Sequence, residues 1–340
     1  MTKTGKRLFL LFASSILLIG IVACDISNKG DTDETDDIPR EVVFSMVDDS
    51  ENENHQIYVM DINGANLKQL TFFENEEALQ PSWSPDGTQI VFTTSLESSS
   101  LGLSIFLMNA DGTNIRPMKT FTNPSFDFVQ PGSHPKWSPD GTKITFQWCV
   151  NCEICGRNTE IFIYDFLTDS VSQITNNLAE DIYPIWDRTN ESSLAFLSNR
   201  EYIAIDSLKK TKDLFMAHLN DKSIEKISNV GSSANPVWTE PNKFVFRSTN
   251  STSFFIELNT NTMNMHELST LFIKDAIHYP ISYNPVLDEL LVYSYGLTQP
   301  HLNSVGMINL ENDEYREIFR KFRSNANPLI EGLDWFYTSN

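Results

Sequence analysis

The chain has no surplus of basic residues: 25 Lys and Arg stand against 45 Asp and Glu in 340 residues, a formal net charge of −20. A nucleic-acid binder needs cations to neutralise phosphates, so that class is excluded. There is also no apolar run fit to span a membrane. Residues 8–23 are broken by Ser14, Ser15 and Gly20, and a spanning helix needs about 20 consecutive apolar residues. Neither a Gly-x-Ser-x-Gly nucleophile elbow nor a His-x-x-x-His pair occurs, which removes two compact signatures of hydrolase and zinc chemistry. Cysteine is scarce, at four residues. Apolar side chains are not: 40% hydrophobic and 11% aromatic residues suffice for a sizeable core and exclude general disorder.

Lys3, Lys6 and Arg7 precede the interrupted apolar run, which stops at Cys24. That is the layout of a signal peptide. Ile21-Val22-Ala23-Cys24 resembles the bacterial lipobox, and the resemblance implies cleavage before Cys24 and lipidation of that residue. Acyl chains would then hold the protein on a membrane surface without a spanning helix. An ordinary secretory signal with an incidental cysteine is the alternative. Residues 25–40 carry Asp25, Asp31, Asp33, Glu34, Asp36 and Asp37 and almost no bulky apolar side chain, as a solvated, self-repelling spacer would. Asp25 directly after the cysteine resembles an inner-membrane retention signal, whereas acidic tethers elsewhere accompany export to the outer surface, so the destination membrane stays open. The expected division is a signal at 1–23, a lipidated cysteine and tether at 24–40, and a folded region at 41–340.

An internal repeat decides the fold. Pro81-Ser82-Trp83-Ser84-Pro85-Asp86-Gly87-Thr88 is nearly duplicated by Pro135-Lys136-Trp137-Ser138-Pro139-Asp140-Gly141-Thr142, and weaker copies begin at Pro184, Pro236, Pro280 and Pro328. The anchors stand 54, 49, 52, 44 and 48 residues apart, a period expected of β-propeller blades. In each copy the proline is expected to open a strand, and the aromatic two residues later to pack between sheets. Ser-Pro-Asp-Gly then forms a turn. A second strand alternates apolar residues, as in Ile90/Phe92 and Ile144/Phe146, and a third reads like Ile57-Tyr58-Val59-Met60. A short fourth strand ends in pairs such as Leu70-Thr71 and Ile174-Thr175. Acidic turns also bind calcium, but Asp86 and Asp140 lack further acids at fixed offsets, so turn formation is the expected role.

The pattern Pro-x-Trp-Ser-Pro-Asp-Gly-x-x-Ile-x-Phe, followed by Ile-Tyr-x-x-Asp and Leu-Thr, resembles the repeat of the TolB-like six-bladed propellers over residues 41–340. The resemblance implies an all-β fold of six four-stranded blades. Ser282 and Ile330 stand where the last two copies would have tryptophan. The sixth blade is expected to be closed by both termini. Residues 42–44 and 335–337 both offer its second strand, and the sequence does not choose between them.

With the first strand innermost, the residues just before the anchors fall at one mouth of the central channel: Gln80, His134, Tyr183, Asn235, Tyr279 with His278 beside it, and Asn327. They suit a polar ligand or peptide segment, or equally strand capping and channel water. His55, His134, His278 and His301 are assigned to loops of this face and His218 and His266 to strands. Converging imidazoles could hold a divalent metal, as the resemblance to propeller-fold oligogalacturonate lyases would imply, with Glu77, Asp127 and Asp181 as nearby acids. Cys149, Cys152 and Cys155, in C-x2-C-x2-C spacing, could join His134 around a metal. In an oxidising envelope a disulfide with one odd thiol is the default, and free thiols are the third option.

The expectation is therefore a monomeric, lipid-anchored, non-catalytic propeller of the bacterial cell envelope. It would carry no cofactor, contact the membrane through Cys24, and bind an envelope protein segment or a glycan at the channel mouth. A metal-dependent polysaccharide lyase or hydrolase is the alternative.

Overall fold

In a computed structural model, the residues described are 41–47, 54–95, 103–118, 132–150, 158–189, 191–201, 212–228, 236–247, 255–268, 276–285, 287–296, 301–312, 314–323 and 330–336. The signal, Cys24 and the tether lie outside them. Residues 38–340 form one compact unit.

Every strand is antiparallel to its neighbours, and the strands make six four-stranded sheets. Blade 1 contains β1 (Glu41–Val47), β2 (His55–Asp61) and β3 (Lys68–Gln69). Blade 2 is β4 (Ala78–Trp83), β5 (Gln89–Ser95), β6 (Leu103–Asn109) and β7 (Arg116–Pro117). Blade 3 is β8 (Gly132–Trp137), β9 (Lys143–Cys149), β10 (Thr159–Asp165) and β11 (Ser170–Gln173). Blade 4 follows with β12 (Asp181–Trp186), β13 (Ser193–Ser198), β14 (Asp213–His218) and β15 (Ser223–Lys226). Blade 5 is β16 (Val237–Trp238), β17 (Lys243–Arg247), β18 (Phe255–Asn259) and β19 (Asn264–Leu268). Blade 6 is β20 (Ala276–Asn284), β21 (Glu289–Gly296), β22 (His301–Asn309) and β23 (Tyr315–Arg323). The last strand, β24 (Ile330–Phe336), returns to blade 1 in the order β24-β1-β2-β3. The all-β six-bladed propeller is thus present, and its closure is settled: the N-terminal segment supplies the second strand and the C-terminal segment the first.

The blades adhere through apolar layers. Val42, Phe44 and Met46 pack on Leu291, Tyr293 and Met307 of blade 6, while Val43 between them packs with Trp83, Ile90 and Phe92 of blade 2. Both faces of a blade are covered, so β1 is buried from Val42 to Val47, and a second strand reads as a continuous apolar run more than as an alternation. Val91, between Ile90 and Phe92, is buried against blade 3.

The strand pairing corrects the expected anchors. Pro81, Pro135 and Pro184 lie inside the first strands, at bulges where two residues oppose one. The residue before each has a left-handed backbone: Gln80 at φ 54°, His134 at φ 54° and Tyr183 at φ 56°. A bulge tolerates proline because its N–H has no ladder partner to lose. In blade 6 the bulge falls one residue later, between Pro280 and Ser282. The repeated aromatic is consequently Tyr283, paired with Leu290 as Trp83 is with Ile90. In blade 1 it is Trp335, paired with Val42. Neither Ser282 nor Ile330 occupies the tryptophan position.

The Ser-Pro-Asp-Gly turns form as expected. Asp86 Oδ1 accepts hydrogen bonds from Ser84 Oγ at 2.6 Å, Thr88 N at 3.0 Å and Thr88 Oγ1 at 2.9 Å, and Asp140 is held in the same way by Ser138 and Thr142. Burial opposes ionisation of Asp140, but these hydrogen bonds outweigh it and keep the carboxyl below the usual range.

Candidate functional site

The channel is lined by first strands, and the bulges define its upper part. A bulged residue has an N–H that its own sheet does not satisfy, and a neighbouring blade takes it up. His134 N donates to Gln80 Oε1 at 2.8 Å and Tyr183 N donates to Gln147 Oε1 at 2.8 Å. Gln80 Oε1 also accepts from Thr93 Oγ1 at 3.3 Å, and Gln80 Nε2 lies 3.3 Å from His134 Nε2. An amide nitrogen only donates, so His134 Nε2 is the acceptor and its ring proton sits on Nδ1, facing Ser133 Oγ at 3.4 Å. Desolvation, with Lys136 nearby, pushes the His134 imidazole down to about 3, so the ring is neutral. Tyr183 meets it edge-on at 4.6 Å between centroids.

The structure therefore brings Gln80, His134 and Tyr183 together, in strands and not in loops. His278 is buried in β20 with Nδ1 2.7 Å from Ser294 Oγ. Tyr279 stacks on Tyr293 at 6.1 Å, and the Arg247 guanidinium sits 5.4 Å over its ring. His55 begins β2 and contacts Glu77 at 3.2 Å. Asn235, Asn327, Asp127, Cys152, Cys155 and the His301 side chain lie outside the described residues. Cys149 is disulfide-bonded, so its sulfur is not a thiolate open to a metal. Among the described residues no three His, Cys, Asp or Glu are grouped to hold a metal ion.

Two residues further along each inner strand, the channel widens into a cavity of about 410 Å³ at the end that carries the Ser-Pro turns. Each blade contributes the residue before its repeated aromatic: Asp334, Ser82, Lys136, Ile185, Val237 and Ser282 in blades 1 to 6. One arc is polar or charged and the other, Ile185 with Val237, is apolar. Asp334 organises the polar arc. Its Oδ2 accepts from Ser82 Oγ at 2.7 Å and Trp83 N at 3.1 Å, and its Oδ1 accepts from Ser282 Oγ at 3.2 Å. Lys136 Nζ stands 3.8 Å away. Arg188, from the turn of blade 4, donates to the Tyr283 carbonyl of blade 6 at 2.8 Å, past blade 5 at the same end. Four tryptophans line the cavity: Trp83, Trp186 and Trp238 are at most 5% exposed and belong to the core, while Trp137 is half-buried and stacks on Phe166 at 5.3 Å between centroids.

The sequence reading placed its site at the mouth and missed this end. Its signal was the Asp334-Trp335 pair, which matches Ser82-Trp83 and Lys136-Trp137 once the aromatics are put in register.

No family model matches the sequence, and no curated protein matches it. Among solved structures, the chain is similar to TolB from Acinetobacter baumannii at 16% identity and a TM-score of 0.61 over 87% of this chain. It spans 66% of that protein's length, just under two thirds. It is also similar to a candidate TolB from Agrobacterium tumefaciens at 13% identity and a TM-score of 0.60, over 87% of this chain and 98% of that one. An oligogalacturonate lyase in complex with manganese matches at 11% identity and a TM-score of 0.50, over 83% of this chain and 74% of that one. The fold is that of the TolB-type propeller, and identities this low carry the fold alone.

Proposed function

We propose that this chain is a non-catalytic binding propeller of the bacterial cell envelope, lipid-anchored at Cys24, whose channel takes a segment of a partner protein. The observation that carries the reading is the cavity of about 410 Å³ to which all six blades contribute, with a charged arc facing an apolar one. Its size fits one or two side chains of an inserted segment. A peptide offers polar and apolar groups side by side, which matches Lys136, Ser82 and Ser282 on one arc and Ile185 and Val237 on the other. A glycan is favoured less, because sugar rings stack on exposed aromatic faces, whereas three of the four cavity tryptophans are buried and the fourth, Trp137, is already stacked on Phe166. The mouth residues Gln80, His134 and Tyr183 form the entrance, where much of their polar capacity is spent on one another.

The test is site-specific photocrosslinking in intact cells. A photoreactive residue at Thr189, which lines the cavity, should capture a discrete partner, and Lys136→Glu should abolish the adduct. The same probe at Leu167, 78% exposed on an outer turn, should not capture it. Equal labelling from both positions refutes the site. Cys24→Ala should move the protein from the membrane to the soluble fraction, and an unchanged distribution refutes the anchor.

A further inference from the structure

The third strands of three blades carry the same device with different chemistry. In blade 1, Ile57 N donates to Thr71 Oγ1 at 2.8 Å, Thr71 donates to Gln56 Oε1 at 2.8 Å, and Phe73 N donates to the same oxygen at 3.0 Å. Gln56 Nε2 completes the clamp by donating to the Phe73 and Glu76 carbonyls, each at 3.2 Å. One amide, both accepting and donating, thus fixes the loop between blades 1 and 2.

In blade 3 the equivalents are Ile161, Thr175 and Asn177, and a glutamate replaces the glutamine. Ile161 N donates to Thr175 Oγ1 at 2.9 Å, and Asn177 N donates to Glu160 Oε1 at 2.7 Å. With the Asn158 amide turned so that its nitrogen faces the surrounding acceptors, it donates to Glu160 Oε1 at 3.1 Å and to the Asn177 carbonyl at 2.9 Å. Glu160 is fully buried, and its Oε2, the atom matching the Gln56 amide nitrogen, has no hydrogen-bond partner among the described residues. In blade 4 the position is Asp213, also fully buried, and there Lys226 neutralises it at 2.7 Å. Among the described residues Glu160 has no such cation to itself. The charged groups facing it are Asp181, at the start of β12, and Arg200, after β13, and these two pair with each other at 2.9 Å. The neighbouring Glu180 is likewise paired, with Lys212 at 2.8 Å.

We infer that Glu160 is a proton-operated latch. With its proton it stands in for the Gln56 amide and holds the loop of residues 176–180. Without the proton its buried charge beside Asp181 loosens that loop and the start of β12, which carries Tyr183. A buried carboxylate without its own cation is costly, whereas the acid form is nearly isosteric with an amide. The electrostatics agree: burial, reinforced by Asp181, pushes the Glu160 carboxyl up to about 7 against the opposing hydrogen bonds and Arg200. The latch concerns the strand that carries Tyr183 at the channel entrance and stands whether or not a peptide is the ligand.

Hydrogen exchange of the full chain, corrected for the intrinsic pH dependence of amide exchange, tests this. From about pH 4.5 to about pH 7, opening of the 176–180 loop should rise toward tenfold per pH unit in the wild type and level off above about pH 7, where open and closed forms are both deprotonated. It should stay flat in Glu160→Gln, and the matching loop under Gln56 should stay flat in both. If both loops respond alike in the wild type, or if Glu160→Gln tracks the wild type, the latch is wrong. Infrared difference spectra provide a second readout that needs no unfolding. The carbonyl stretch of a protonated carboxylic acid should titrate out near neutral pH in the wild type and be missing in the variant. Its absence from the wild type at about pH 6 overturns the inference.

Discussion

Removing Asp334 should unfasten the ring at its seam. The residue lies on the C-terminal strand that closes blade 1, and its carboxylate receives Ser82 Oγ and Trp83 N from blade 2 and Ser282 Oγ from blade 6. Its side chain is 15% exposed, so water does not readily replace those bonds. Hydrogen bonds to a charged acceptor contribute roughly 1.5–3 kcal/mol each, and they are not additive. Stripping one member from a buried polar cluster costs about 3–5 kcal/mol. Lys136, at 3.8 Å and 30% exposed, adds well under 1 kcal/mol by comparison. Asp334→Ala should therefore lose about 4 kcal/mol. A folded region near 300 residues has an unfolding entropy of roughly 0.6 kcal/mol/K, so Tm should drop by about 6 °C. Asp334→Asn, which keeps one acceptor oxygen but turns an NH2 toward existing donors, should lose about half as much. The assay is thermal unfolding by circular dichroism at neutral pH, with the Ser82→Ala cycle run alongside. Coupling between positions 82 and 334 of at least about 1 kcal/mol is expected. A drop under about 2 °C, or strict additivity, would show that blade packing closes the ring without the carboxylate.

His134 should make the fold acid-sensitive. Its folded-state proton affinity is depressed to about 3, so the unfolded chain binds a proton that the folded chain refuses as pH falls from about 6.5. The stability difference between wild type and His134→Gln should shift against the wild type by about 1.4 kcal/mol per pH unit from about pH 6 to about pH 4, and a flat difference refutes the desolvated ring. Gly64 and Gly141 should separate two costs. At Gly64, φ is +81° and an added Cβ would lie 2.1 Å from the Ile318 carbonyl oxygen, so Gly64→Ala should cost more than about 3 kcal/mol by denaturant titration. At Gly141, φ is +69° but the nearest atom is Pro85 Cδ at 3.7 Å, so Gly141→Ala should pay only the left-handed penalty of about 1–2 kcal/mol. Equal losses would mean that the contact at Ile318 relaxes freely. Alkylation and intact mass of the mature protein should find one reactive cysteine before reduction and three after, as Cys149 is bonded and Cys24 is acylated in the proposed form. Three before reduction would refute the disulfide.

The period near fifty, the turns and the third strands were legible because each rests on local rules. Ser84, Asp86, Gly87 and Thr88 make their turn from their own side chains and backbone, so eight residues suffice to predict it. Closure was not legible, because both chain ends carry apolar, strand-forming residues and only pairing across nearly the whole sequence distinguishes them. The bulges were not legible either. Proline before an aromatic reads as a strand start from local preference, yet inside a covered sheet the same residue is admitted by a left-handed neighbour whose N–H a glutamine of the preceding blade satisfies, as at His134 and Tyr183. In blade 6 the proline stands one residue earlier relative to the bulge, so counting from it lands on Ser282 and not on Tyr283. In blade 1 the count from Pro328 lands on Ile330 and not on Trp335, which hides Asp334.

With the aromatics in register, the residues before them can be compared around the ring. The fold presents one channel position six times, and where architecture alone governs, the copies agree: the turn aspartates Asp86 and Asp140 make matching bonds, and Thr71, Thr175 and Ser228 each accept from the third strand. At the channel position the copies part: aspartate, serine, lysine, isoleucine, valine and serine again. A repeat that needed this position only for packing would fill it with one kind of side chain, as it fills the adjacent position with Trp83, Trp137, Trp186 and Trp238. A ring that binds one asymmetric ligand on its axis must instead present a different group from each direction. Divergence among copies of a repeat, confined to residues that face a common space, therefore points to a ligand without reference to any second sequence. It also sets the next mutational test, with thermal unfolding as the control because both side chains pack on interblade core: Ile185→Asn and Val237→Thr should weaken capture through Thr189, and unchanged crosslinking in both folded variants would leave the apolar arc without a role.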